Sequence, residues 1–180
     1  MSPFASLIDG SVSVDAYRDL LGRLASAYRR LEPTLLRTEP LAELPPYRPR
    51  LPALAEDLAV LSARCEHRLP GRPMGADRAV VRAGAQHEAG HCLGLRYVIE
   101  GSTLGARQMA DGLARAGLPF HAEASRYWAV QRAAQADWTA FRGHLLALDA
   151  ERPGVAQALA SARHAFGVFI EAFETQGEPG

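Results

Sequence analysis

The sequence predicts an all-α fold, a compact bundle of five or more helices, and three observations predict it. Apolar residues recur at spacings of three and four through most of the chain. No run of four to eight residues alternates cleanly enough for a strand. The prolines and several of the glycines fall between the periodic segments, where they end helices rather than interrupt a sheet.

Taken in order, Ser13 is an N-cap, with Asp15 in the first turn favoured by the helix dipole. Val14, Tyr17, Leu20, Leu21, Leu24, Tyr28 and Leu31 then form one apolar face, and Pro33 perturbs or ends that helix. The stretch 38–50 holds Pro40, Pro45, Pro46 and Pro49, so it reads as an ordered connection. A second helix starts near Pro52 and puts Leu54, Leu58, Leu61 and Cys65 on one face, until Pro70, Gly71 and Pro73 close it. The third segment runs from about Asp77 to Ala116, is broken by glycines, and stops at Gly117 and Pro119. A fourth helix covers Tyr127 to Leu148, with Trp128, Trp138, Phe141 and Leu145 as core. A fifth starts near Pro153 and carries Val155, Leu159, Phe166, Phe169, Ile170 and Phe173, an aromatic stripe of the kind that usually packs inward.

At 180 residues the chain fits one domain, residues 1–180, with a flexible tail over 175–180. Its net charge of zero gives no general attraction to nucleic acid or to an acidic membrane. All 20 cationic side chains are arginine, a pattern that codon bias explains. Cys65 and Cys92 lie far apart, which suits a reducing cytosol better than a disulfide framework. No apolar run approaches the ~20 residues of a membrane span, and the start lacks the basic region of a signal peptide, so a cytoplasmic setting is expected.

Two segments carry chemistry. In Tyr97-Val98-Ile99-Glu100-Gly101-Ser102-Thr103-Leu104-Gly105, the tyrosine and two glycines are spaced i, i+4, i+8 and share adjoining parts of one helical face. A glycine inside a helix costs about 1 kcal/mol relative to alanine, so two such positions require compensation. A ligand lying close to bare backbone supplies it; so does close helix–helix packing through small residues. Ser102 can bond back to a carbonyl one turn earlier and bend the helix. Glu100 points about 100° round the helix from Gly101, which argues against a general base there. Arg96 and Arg107 flank the segment, and solvated faces are the default reading for both.

The second segment, His87-Glu88-Ala89-Gly90-His91, satisfies HExxH, whose histidines one turn apart can ligate zinc while the glutamate activates water. No third ligand follows at a recognised spacing, and no strand pattern precedes it. His87 and His91 therefore read as polar residues at a helical start, with adventitious zinc binding as their metal chemistry. His121, His144 and His164 read as surface or satisfied core residues.

The run YVIEGSTLGARQM resembles the distal-helix signature of bacterial biliverdin-forming heme oxygenases. SPFASLIDGSVSVDAYRDLL resembles the turn and second helix of that family; WTAFRGHLLAL and residues 160–173 resemble its two C-terminal helices. The resemblance implies a heme oxygenase-like bundle in which heme is both substrate and cofactor, cleaved with O₂ and electrons from a reductase or ferredoxin to biliverdin, CO and iron. By motif position Gly101 and Gly105 would lie over the heme, Ser102 would hold the bent backbone, and Tyr97 would bond a propionate. The family's proximal histidine would precede the segment matched by Ser2-Pro3-Phe4, yet the first histidine here is His67, and there is no lysine. The axial iron ligand is thus not identifiable, and either a helix precedes Met1 in the natural protein or the member is divergent. The alternatives to an oxygenase are a non-catalytic heme or small-ligand binder on the same fold, and a zinc hydrolase using His87, Glu88 and His91.

Overall fold

In the computed structural model, residues 5–37, 44–66, 85–148 and 154–174 are described, and their only regular secondary structure is helix. The helices are α1 (Ala5–Asp9), α2 (Val14–Arg37), α3 (Leu51–Glu66), α4 (Ala85–Gly101), α5 (Thr103–Ala116), α6 (Pro119–Glu123), α7 (Arg126–Ala133), α8 (Gln135–Ala147) and α9 (Val155–Glu174). The all-α prediction holds. The stop expected at Pro70 to Pro73, a start between 77 and 84, Pro153 and the tail over 175–180 lie outside the described residues.

Helix α2 is the central core element. Ser13 caps it as expected, its Oγ accepting from the Ala16 N–H at 3.2 Å. Tyr17, Leu20, Leu21, Leu24, Tyr28 and Leu31 are buried along one face. The helix does not stop at Pro33 but continues to Arg37. Proline costs the ladder a donor, but the extra turn buries Leu35, which offsets part of that loss.

The proline-rich connection is tied down from α2. Glu32, fully buried, accepts from the Tyr47 hydroxyl at 2.6 Å and from the backbone N–H groups of Arg50 at 2.5 Å and Leu51 at 3.1 Å. Its carboxylate thereby caps α3 at the helix end that favours negative charge. Leu54 and Leu61 on α3 are buried as expected, while the Cys65 side chain lies outside the described residues.

Where one helix was expected from Tyr127 to Leu148, two are found, separated at Ala134. There ψ is −6°, far from the ordinary helical value near −42°. The buried carboxylate of Asp57 fixes the start of α7, accepting from the Arg126 and Tyr127 N–H groups at 3.1 and 2.9 Å. Helix α8 is fixed separately by the Asp137–Arg48 pair at 2.5 Å. Trp128 and Phe141 are core as expected, whereas Trp138 and Leu145 are only half-buried.

The largest departure is on α9. Its buried residues are Ser161, Ala165 and Val168, while Leu159, Phe166 and Ile170 are 56, 51 and 53% exposed. The small residues face α4, because Gly90 and Gly94 there let the two backbones meet. A Cβ at Gly94 would lie 2.0 Å from the Ala158 carbonyl oxygen, and one at Gly90 would lie 2.6 Å from that of Gly154. The aromatic stripe is left on the other side of α9.

Candidate ligand groove

Helices α4 and α5 are one helical run interrupted at Ser102. The ladder crosses the interruption, with Ser102 N–H donating to the Val98 carbonyl and Ala106 N–H to that of Ser102, both at 3.1 Å. Two hydroxyls compete with it: Ser102 Oγ donates to the Ile99 carbonyl and Thr103 Oγ1 to that of Glu100, each at 2.7 Å. Such back-bonding three residues earlier is a recognised cause of helix bending.

Bare backbone at this interruption faces a cavity of about 600 Å³, within the range of ligand pockets. Tyr97, Gly101, Ser102 and Leu104 of the interrupted run line it, as does Trp138. The stripe of α9, Phe166, Phe169, Ile170 and Phe173, lines it too. Tyr28 and Tyr127 also belong to the lining. Burial pushes both phenols above their ordinary range, so they stay neutral; Gln131 donates to Tyr127 at 2.6 Å and to Tyr28 at 3.3 Å. The groove is apolar and open to water along Tyr97, Leu104, Phe166 and Ile170, which are 44 to 53% exposed. An exposed apolar surface of this extent marks a site for a ligand or partner.

Of the residues singled out from sequence, Tyr97, Gly101 and Ser102 are brought together on this wall. Gly105 lies one turn further on, outside the cavity lining, and nothing stands within 4 Å of a Cβ built there. At Gly101 a Cβ would meet the Trp138 ring at 3.5 Å, ordinary contact. Neither glycine is packed against a neighbouring backbone.

Glu100 faces away from the groove, as its position on the helix required. It is fully buried and accepts from Arg50 Nη2 at 2.8 Å, with Arg96 Nε 3.5 Å from its other oxygen. Arg96, expected on a solvated face, is only 8% exposed. Its guanidinium donates to the Pro45 carbonyl at 2.5 Å and lies 5.4 Å from the Phe141 ring centre. Arg107 is on the surface beside Asp111. The network of Glu32, Tyr47, Arg50 and Arg96 was missed in the sequence. Its one readable signal was the i, i+4 register of Glu32 with buried Tyr28 and of Glu100 with Arg96. Breaking a buried pair such as Arg50–Glu100 from one side typically costs about 3–5 kcal/mol, so the turn before the interruption is firmly held.

The HExxH segment begins α4. His91 Nδ1 is 2.5 Å from Ser161 Oγ on α9. The side chains of His87 and Glu88 lie outside the described residues. No cluster of three or more metal-binding side chains occurs among the described residues.

An all-α protein with an apolar, ligand-sized groove beside an interrupted helix is the class these features define. The family model for heme oxygenase matches residues 1–175, so the chain belongs to the heme oxygenase family, and heme is the ligand that membership implies. No curated protein and no solved structure matches it. Among the described residues no helix is long and apolar enough to cross a membrane.

The walls fit the porphyrin plate: a slot of suitable volume, apolar on both sides, with no side chain projecting from Gly101. The described lining residues include no histidine or cysteine to ligate its iron.

Proposed function

We propose that the groove between the 97–105 run and α9 receives heme, and that the chain is a biliverdin-producing heme oxygenase of bacterial, cytoplasmic type. One observation carries the reading: the bare backbone at Gly101 opens onto an apolar cavity, opposite a row of aromatic side chains. Bound heme would be both substrate and the centre of O₂ activation, cleaved to biliverdin, CO and iron with electrons from a reductase or ferredoxin.

The chain's own part is positioning. Gly101 leaves the cavity wall beside the Trp138 ring without a side chain, and Ser102 holds the interrupted backbone through its bond to Ile99. Gly105 extends the bare strip by one turn. Tyr97, 44% exposed at the rim, has its hydroxyl available to a propionate. The aromatic residues of α9 cover the other face and exclude water from it.

A second reading, a non-catalytic heme binder on the same fold, is favoured by the absence of histidine from the described lining. Titration with hemin followed by reductant under O₂ separates the two. Saturable binding at one equivalent, then replacement of the Soret band by a biliverdin spectrum, is the expected result. A stable Soret band through reduction would leave a binder. Gly101→Leu adds a side chain to this cavity wall, against Trp138, and should weaken hemin binding at least tenfold, about 1.4 kcal/mol; unchanged affinity would remove Gly101 from the site.

A further inference from the structure

Aromatic side chains are concentrated at the cavity. Of the five tyrosines, six phenylalanines and two tryptophans of the chain, three, three and two line it. Several of these rings meet edge to face: Phe169 and Tyr28 with centres 5.5 Å apart, Tyr28 and Tyr127 at 6.1 Å, and Tyr127 and Trp128 at 4.9 Å. Trp138 lies 5.7 Å from Tyr97. The described lining residues include no charged side chain. Attraction to such walls comes from dispersion and from water released, and it grows with the area of the plate in contact. It does not depend on what sits at the centre of that plate.

The groups that hold ferric heme iron directly are chiefly imidazole, thiolate and phenolate. The described lining offers neither of the first two. Burial holds the phenols of Tyr28 and Tyr127 neutral, with Gln131 donating to both oxygens, so neither stands ready as a phenolate. Met109 contributes a thioether, a soft ligand that favours reduced iron over ferric.

We propose that the groove selects its ligand by the aromatic macrocycle and not by the metal, so that it takes an iron-free porphyrin as tightly as hemin. This deepens the heme reading above and rests on it. The ligand class is then the planar tetrapyrrole, of which heme is the iron-bearing member. When two protons replace the iron, the faces, the apolar edges and the two carboxylates of the plate are unchanged. A site that draws its affinity from those faces loses nothing, whereas one built on an iron ligand loses the metal–ligand bond.

Trp128 and Trp138 are the two tryptophans of the chain and both line the cavity, so their emission reports occupancy without turnover. The full chain is titrated with hemin and, separately, with protoporphyrin IX. Both are expected to quench the emission saturably at one equivalent, with dissociation constants within about threefold of each other. Phe166→Ala removes a ring that is 51% exposed, and it should weaken both ligands by the same factor, about fivefold. Hemin bound about thirtyfold or more tighter than protoporphyrin IX would mean that iron ligation dominates; that overturns the inference and leaves the heme reading standing. A Phe166→Ala protein weakened toward hemin alone has the same consequence. Equal affinities that Phe166→Ala leaves unchanged would place the plate outside this groove and overturn both readings, as would failure of the wild type to bind hemin. Should Phe166→Ala lose the wild-type helical circular dichroism, the ratio of the two wild-type affinities decides alone.

Discussion

Two pairs of glycines lie along the same helical run, at the same spacing of four, and do opposite things. Gly90 and Gly94 are pressed into α9: a Cβ at 94 would lie 2.0 Å from the Ala158 carbonyl oxygen and 2.8 Å from both the Ala162 nitrogen and Ser161 Cβ. Gly101 and Gly105 meet one aromatic ring at ordinary contact and open space, respectively. What separates them is the partner helix. The first half of α9 offers Ala158, Ser161 and Ala162, so two backbones can approach; its second half offers Phe166, Phe169 and Phe173, which hold a gap open. A glycine spacing thus reports only that something comes close to a helix; the facing sequence says whether it is another helix or a ligand.

The largest effect this contrast predicts is at the packed pair. Gly94→Ala adds one methyl group where the obstacles are backbone atoms that cannot rotate away. It should destabilise the fold by roughly 3 kcal/mol, at the upper end of overpacking costs. Urea denaturation with an unchanged slope checks it. A Gly94→Ala protein as stable as the wild type would break the comparison at its packed end.

The open pair should respond with the opposite sign. At Gly105 the backbone is helical and unobstructed, so alanine recovers helix propensity without a clash. Gly105→Ala is expected to raise stability by roughly 0.5–1 kcal/mol in the same assay. A loss at this position would mean that the strip is packed after all.

The sequence made the helices legible and left their relations largely hidden. Ser13, Gly117 and the apolar face of α2 act through local chemistry, and each is found where periodicity and capping put it. Packing through small residues falls at a different glycine pair from the one the spacing around Tyr97 suggests. Tyr97 and Ser102 single out Gly101 and Gly105, while the tight contact sits at Gly90, inside the segment that reads as a metal motif, and at Gly94, three residues beyond it. The aromatic stripe of α9 has the sequence pattern of core, as most such stripes do. Only the position of α4 reveals that Ala165 and Val168 face inward and Phe166 and Ile170 face the groove. The Arg50–Glu100 pair joins residues 50 apart and had no local signature for its pairing.

The smallest effect also belongs to the packed end and is read by pH. His91 lies on α4 between Gly90 and Gly94, half-buried, with Nδ1 against Ser161 Oγ. Burial first, and the positive charge of His164 second, hold its pKa below the usual 6.5. A folded-state value below the unfolded one means that, as pH falls, the unfolded chain takes up the proton first. The stability from a neutral His91 is therefore fully present above about pH 6.5 and is lost as pH falls from there toward the folded-state value. His121, lowered by burial and by Arg132, acts with the same sign, so His91 is not alone among the described residues in setting the wild-type slope. Urea midpoints measured between about pH 7.5 and 5.5 should fall in the wild type and fall less steeply in His91→Gln, which keeps a polar side chain beside Ser161 but cannot charge. Gly105→Ala should run parallel to the wild type, since nothing among the described residues, histidine included, stands within 4 Å of a Cβ there. Equal slopes for His91→Gln and the wild type would show that the acid sensitivity does not arise in the α4–α9 contact, leaving sterics alone to distinguish the two glycine pairs.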